Sequence, residues 1–545
     1  MRITDHIDLF YPDRQARQSA QKRREEIRKS GTGFMSDLKV EGIKSLFSLS
    51  GGDMLLKLCE ELCTDIDTIN YRLDCLEDFI NNPELRENLR RVVNELSHTY
   101  FTGHGDTDVN AFYEIKERSD FLLSYLDAIG RINDIYSRIS GNIKSEAVRG
   151  LFEFFKALPQ SEEFKNIDKD LSELKEIFSK TIRSVKVGIN FDAAMIPDSA
   201  GLMEVSYDKI YPKGNVIERL VFGQVMGQEC FEGEEHLSSL TRHAPADIDT
   251  ALFRELSEYT AAYAKRISSA LAGYQKSFFS DISELEHQLD FYEGAAMLVK
   301  NASVRGMKFC RPKLLPMEKR KTKLKGAFDL CLYKELVLKY PAQALKDRLM
   351  INDLTLDEKA RIFMLTGANN GGKTTFARAA AVCQVLAQAG LFVPAEYAEV
   401  SVCDNVFTHF PKSEQTGIDT SRFTVEIKEL KKIVVSMTSH SLVILNESLQ
   451  STTPEECMKI AAIHCELFAS AGVRGIYVTH LTGLYNEFER INRKNYPSTL
   501  ASLVSETDEN EKRLYRITAQ PPSGESLAMT IYRRFGATAD DIRRA

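Results

Sequence analysis

The sequence predicts a multidomain α + α/β chain: a helical core with long lever helices and a small β insert, then an α/β domain around a phosphate-binding loop. Three observations carry this. Gly367-Ala368-Asn369-Asn370-Gly371-Gly372-Lys373-Thr374-Thr375 fits G-x-x-x-x-G-K-[ST], between an apolar run at Ile362–Leu365 and a helical stretch from Phe376 to Ala389. Apolar residues recur at steps of three or four through most of 37–180. Near residue 185 the period drops to two, and beyond residue 250 the helical period returns.

Composition sets the bounds. A chain of 545 residues calls for roughly three or four domains. The net charge of −7 gives no global basic field, so any nucleic-acid contact would come from local patches. Ten cysteines occur without a C-x-x-C pair. They read as reduced thiols of a cytoplasmic protein and argue against structural zinc. No apolar run is long enough to cross a membrane.

Taken in order, 1–35 is polar, with Lys22, Arg23, Arg24, Arg28 and Lys29 broken by Glu25 and Glu26. It reads as a solvated amphipathic helix, with a nucleic-acid arm as the alternative. The helical core and first lever span 36–184. Leu55, Leu58 and Leu62 mark one apolar face, Asn82-Pro83 stops one helix and starts another, and Leu171, Leu174 and Ile177 mark a late helix. A β-rich insert spans 185–240: Val185 to Asp192 alternates as a strand, Pro197 to Gly201 reads as a turn, and Leu202 to Tyr207 as a second strand. The returning lever and core span 241–335. Leu252 to Leu289 as one helix would run about 57 Å, at about 1.5 Å per residue. Several shorter helices broken near Gly273 are the alternative. The basic stretch Met317 to Gly326 reads as a solvated loop, and 336–545 alternates strand and helix.

The loop has the chemistry of an anion site. Glycines let the backbone close around phosphates, the helix N-terminus favours negative charge, Lys373 would reach the outer phosphates, and Thr374 would help hold Mg²⁺. Further on, the apolar run Ser441 to Leu445 ends in Asn446-Glu447, the place of a metal-holding residue and a water-activating carboxylate. A strand-end cap is the alternative reading for either residue. Gly475 to Val478 leads to Thr479-His480, where the histidine is a γ-phosphate contact or a satisfied core residue.

These motifs together resemble the ATPase domain of the MutS family of DNA mismatch-repair and recombination proteins. The residues that carry the likeness are the Gly367 to Thr374 loop, Val393-Pro394-Ala395, Ser421-x-Phe423-x-Val425-Glu426, Asn446-Glu447, Ser451-Thr452-Thr453 and Thr479-His480. Upstream, Arg72-Leu73-Asp74 and Asn82-Pro83-Glu84-Leu85-Arg86 look like the family's helical core. The resemblance makes 336–545 an ABC-type ATPase domain that uses ATP and Mg²⁺. It implies a homodimer with composite sites, in which ATP on Gly367 to Thr375 is completed by Ser421 of the partner subunit. Asn369 would help place the γ-phosphate or the water. Glu447 would be the catalytic carboxylate, His480 the γ-phosphate sensor, and Thr374 with Asn446 the metal side. Paired levers would close around DNA.

Three departures shape the expectation. Asn446 stands where the family has aspartate, so metal binding should weaken and hydrolysis slow. The chain begins almost directly at the helical core, with no room for the family's mismatch-reading domain, so branched duplex is a better expectation than mismatched. No nuclease domain follows Arg543-Arg544. A nucleotide-gated module gripping a protein, ribosome or RNA partner is the second reading. An SMC- or other ABC-type ATPase is a third, disfavoured by the absence of L-S-G-G-Q.

Overall fold

The computed structural model describes residues 7–31, 33–98, 111–179, 184–191, 193, 197–206, 271, 282–345, 347–410, 422–449, 452–508 and 513–522. The chain divides into two compact units. One takes in 95–130 and 155–280, and the other 2–94, 131–154 and 281–545.

In the smaller unit, strands β1 (Ser184–Phe191) and β2 (Pro197–Ser206) pair antiparallel, from Ser184 opposite Ser206 to Phe191 opposite Pro197. The reversal therefore falls before Pro197, not across Pro197 to Gly201. Proline is tolerated at the first position of a strand, where no ladder N–H is needed. Most of the expected lever, Leu252 to Ser280, lies outside the described residues except Leu271, as does the rest of the insert, 207–240.

In the larger unit, helix α1 (Arg14–Ser30) starts at Asp13, whose carboxylate accepts from Ala16 N, and ends at Gly31 with φ 64°. It buries Ala20 and Ile27, holds Arg17, Arg23 and Arg24 half-buried, and leaves Arg14, Lys22, Glu25, Glu26, Arg28 and Lys29 exposed, an amphipathic pattern. Helices α2 (Leu49–Glu61) and α3 (Ile66–Asn81) follow, and 282–304 is also helical. Pro83 opens the next helical segment, in the turn where its missing N–H costs nothing.

Ahead of α1, Leu9, Phe10 and Tyr11 form a buried strap. Leu9 N donates to Gln288 Oε1 at 2.9 Å, and Tyr292 Oη donates to Leu9 O at 2.7 Å. Arg72 of α3, fully buried, donates from Nη2 to Glu61 Oε1 at 2.8 Å and from Nε to Phe10 O at 2.9 Å. A buried charge is tolerable only when so satisfied.

Two sheets complete this unit. Strands β3 (Lys313–Leu315), β4 (Thr322–Ala327), β5 (Asn352–Leu356) and β7 (Tyr397–Ser401) form a four-stranded sheet in the order β3-β7-β4-β5. The basic stretch is thus a short 3-10 turn, Met317–Lys319, leading into strand β4, not a solvated loop throughout. Thr322 and Leu324 point inward, while Lys323 and Lys325 point out. An alternation of period two outweighs the count of lysines.

The six-stranded sheet runs β12 (Arg513–Ala519), β11 (Leu500–Thr507), β6 (Ile362–Gly367), β10 (Arg474–Val478), β9 (Leu442–Asn446), β8 (Val406–His409). All pairs are parallel except β11 with β12. Helix α4 (Lys373–Ala389) touches β6, β9 and β10 and also α2 and α3. Its run of buried alanines, valines and leucines follows from contact on both sides. Helices α5 (Arg422–Ser436) and α6 (Pro454–Ala471) pack with β8 and β9 around Leu430, Ile433, Cys465 and Phe468. Arg474 ties the two sheets together. It donates to Lys321 O, Thr322 Oγ1 and Ser401 O, and burial pulls its pKa down to about 10.

Among the described residues no helix is long and apolar enough to cross a membrane. Nine of the ten cysteines are described, and all nine are unpaired.

Candidate functional site

The C-terminal ends of β6, β9 and β10 lie side by side, with Val478 opposite Asn446 and Val478 opposite Leu365. In open α/β sheets this edge is where ligands bind, because successive loops converge there.

The first loop runs from β6 into α4. Gly367 has φ 127°, and a Cβ there would lie 2.9 Å from Ser505 O. Gly371 is buried, and a Cβ would lie 2.6 Å from Ser505 Oγ and 2.8 Å from Ala368 O. Ser505 Oγ itself donates to Gly371 O at 2.6 Å. β11 thus fixes the loop from behind. Asn369 and Asn370 are exposed at its tip, Asn370 with φ 55°. Gly372 caps the helix with φ 86°, and Thr375 is half-buried in the first turn.

Lys373 is 4% exposed, and its Nζ donates to Gly367 O and Ala368 O, both at 2.9 Å. Among the described residues its ammonium pairs with no carboxylate within salt-bridge distance, and burial lowers its pKa. A buried cation held by two carbonyls, beside a helix N-terminus, fits an incoming phosphate.

Thr374 Oγ1 donates to Asn446 Oδ1 at 2.9 Å. Two oxygens so placed suit a small hard cation, with the negative charge supplied by phosphate. Glu447 follows in the left-handed region at φ 51°, its N–H held by Val478 O at 2.8 Å. Its Oε1 lies 2.9 Å from His480 Nε2, and His480 is 41% exposed rather than a core residue. Lys373, Thr374, Asn446, Glu447 and His480 therefore gather at one edge. Ser421 lies outside the described residues.

Two neighbours carry no motif. Tyr515, exposed and at φ 55°, has its ring 3.4 Å from the Cβ position of Gly372. Asn352 Nδ2 donates to its carbonyl. Ser505 and Tyr515 come from β11 and β12, and only the sheet register brings them to the loop.

The chain matches the family described as MutS domain V over residues 363–540 and the MutS2 N-terminal domain over 64–303. It is 30% identical over 219 residues to the DNA mismatch repair protein MutS of Methanothrix thermoacetophila, covering 39% of this chain and 25% of that protein. It is 26% identical over 468 residues to the protein of that name from Symbiobacterium thermophilum, covering 79% and 49%. The MutS of Clostridium botulinum strain Langeland is 22% identical over 584 aligned positions, covering all of this chain and 58% of that protein. The chain spans less than two thirds of each of these relatives. Two family matches that together take in most of the chain, and relatives of one name along its whole length, agree: the chain is similar to the MutS family from its helical half to its six-stranded sheet.

Proposed function

We propose that the protein binds and hydrolyses ATP with Mg²⁺ at the β6–α4 loop and uses the cycle to act as a dimeric clamp on DNA, with branched duplex preferred. The observation that carries the reading is the gathering of Lys373, Thr374, Asn446, Glu447 and His480 at one sheet edge. Phosphoryl transfer needs little covalent chemistry from a protein, only positioning and charge stabilisation. Lys373 and the α4 N-terminus would hold the phosphates, and Thr374 and Asn446 the metal side. When bound, Mg²⁺ would neutralise charge on the phosphates. Glu447, held by Val478 and His480, would orient the attacking water, and Asn369, exposed at the loop tip, would face the outer phosphate. Ser421 of the partner subunit would complete the site.

The test is ATP hydrolysis with and without homoduplex, mismatched duplex and four-way junction, alongside Lys373→Ala and Glu447→Ala. Lys373→Ala should lose nucleotide binding, and Glu447→Ala should keep binding and lose turnover. Junction stimulation that exceeds mismatch stimulation supports the branched-DNA clamp. Turnover indifferent to every DNA would move the reading to a protein or RNA partner.

A further inference from the structure

Beside the gathered residues lies a second set of polar groups, buried at His409 and Ser448 and half-buried at Glu429, that takes no part in the proposed hydrolysis. His409, the last residue of β8, is 5% exposed. Its Nδ1 lies 2.7 Å from Ser448 Oγ, and its Nε2 lies 3.3 Å from Glu429 Oε2 of α5. Ser448 is 4% exposed and follows Glu447 directly. A neutral imidazole carries one donor and one acceptor. The Glu429 carboxylate only accepts, so Nε2–H faces it and Nδ1 accepts the Ser448 hydroxyl proton.

The turn that Ser448 occupies is under strain. Glu447 and Leu449 on either side both have positive φ, 51° and 71°. Non-glycine residues hold such angles only where their surroundings over-determine them. Glu447 N–H is held by Val478 O, Cys457 Sγ donates to Leu449 O, and His409 holds the residue between. His409 also stands where the chain leaves β8, while Glu429 lies on α5, the helix that begins at Arg422.

We infer that His409 is a positioning residue: it fixes the Ser448 turn that aims the Glu447 carboxylate and ties that turn to α5. This rests on the ATPase reading above. Loss of the tie should slow turnover and leave nucleotide affinity intact, because Lys373 and the α4 N-terminus are untouched.

The experiment measures kcat for ATP and the affinity for a non-hydrolysable ATP analogue in the full chain, for wild type, Glu447→Ala, His409→Gln, Ser448→Ala, Glu429→Gln and the His409→Gln/Ser448→Ala double variant. Ser448→Ala removes one oxygen and guards against a folding failure at His409. The His409, Ser448 and Glu429 variants should each lower kcat about tenfold, with analogue affinity within about threefold of wild type. The double variant should be no slower than the slower single one, since both cut the same bond. Wild-type turnover that Glu447→Ala abolishes and the His409 and Ser448 variants preserve would overturn the inference and spare the ATPase reading. Losses that multiply in the double variant, or that fall equally on analogue affinity, would also overturn it. No wild-type turnover at all would sink the ATPase reading, and this inference with it.

Discussion

Asn446 Oδ1 accepts from Thr374 Oγ1 as a neutral amide oxygen. A carboxylate at the same place would add a full charge to the metal side and hold Mg²⁺ more firmly. Asn446→Asp should therefore raise kcat about tenfold at limiting Mg²⁺ and lower the Mg²⁺ needed for half-maximal turnover. A Mg²⁺ titration of hydrolysis reads this directly, and unchanged curves would count against a metal role for the residue. Tyr515 offers an exposed ring at the loop mouth. Aromatic stacking contributes about 0.5–1.5 kcal/mol, so Tyr515→Ala should weaken ATP-analogue binding roughly two- to tenfold. Calorimetry checks it, with Tyr515→Phe expected to bind as wild type does.

At the scale of elements, the β6–α4 loop leaves no room for side-chain growth. Gly371→Ala would drive a methyl into Ser505 Oγ and Ala368 O. It should cost nucleotide binding at least tenfold while the rest of the sheet keeps its stability, about 1–3 kcal/mol of overpacking being local. Helix α6 carries an acid-sensitive group. His464 is buried and stacked on Phe468, and burial lowers its pKa from 6.5. The unfolded chain then takes up a proton that the folded chain refuses. Its contribution is whole above pH 6.5 and is lost as pH falls from there through the lowered folded value. His464→Leu should flatten that part of the stability–pH curve, as urea melts at several pH values would show.

These elements also show what the sequence discloses. The strand, loop and helix around Lys373 are legible because their signals are local: an apolar run, glycines at fixed offsets, then a helix. The strand ends at Asn446 and His480 are legible for the same reason. The basic stretch misleads because lysines on one face of a strand look like a solvated loop until their alternation with Thr322 and Leu324 is counted. Pro197 misleads because a proline that opens a strand is also a turn former. Tyr515, Ser505 and His409 cannot be read at all. Ser505 and His409 reach the site through pairing between strands far apart in sequence, and Tyr515 follows through the pairing of β12 with β11, which no local pattern encodes.

At the scale of the molecule, the clamp reading makes two demands. ATP analogue should shift the protein toward a dimer, because a site completed by Ser421 of the partner subunit gains affinity only when two copies meet. Sedimentation with and without analogue measures this, and mass independent of analogue would count against a composite site. DNA binding should weaken steeply with salt, with a linear fall of log affinity against log salt set by the phosphates neutralised. Fluorescence anisotropy across a salt series reads the slope, and a flat series would deny a phosphate-tracking interface.

The strap at Leu9 to Tyr11 bears on how the protein is made. Its partners Gln288 and Tyr292 lie 279 and 283 residues later in the chain. A ribosome adds about 5–20 residues per second, so the strap would wait roughly 15–55 s for them to emerge. During that interval Phe10 and Tyr11 have no finished core to enter. Synthesis arrested before residue 288 should leave the amino end open to protease, and release beyond residue 304 should close it. The helical half of this chain is thus the first to be translated and among the last to be sealed.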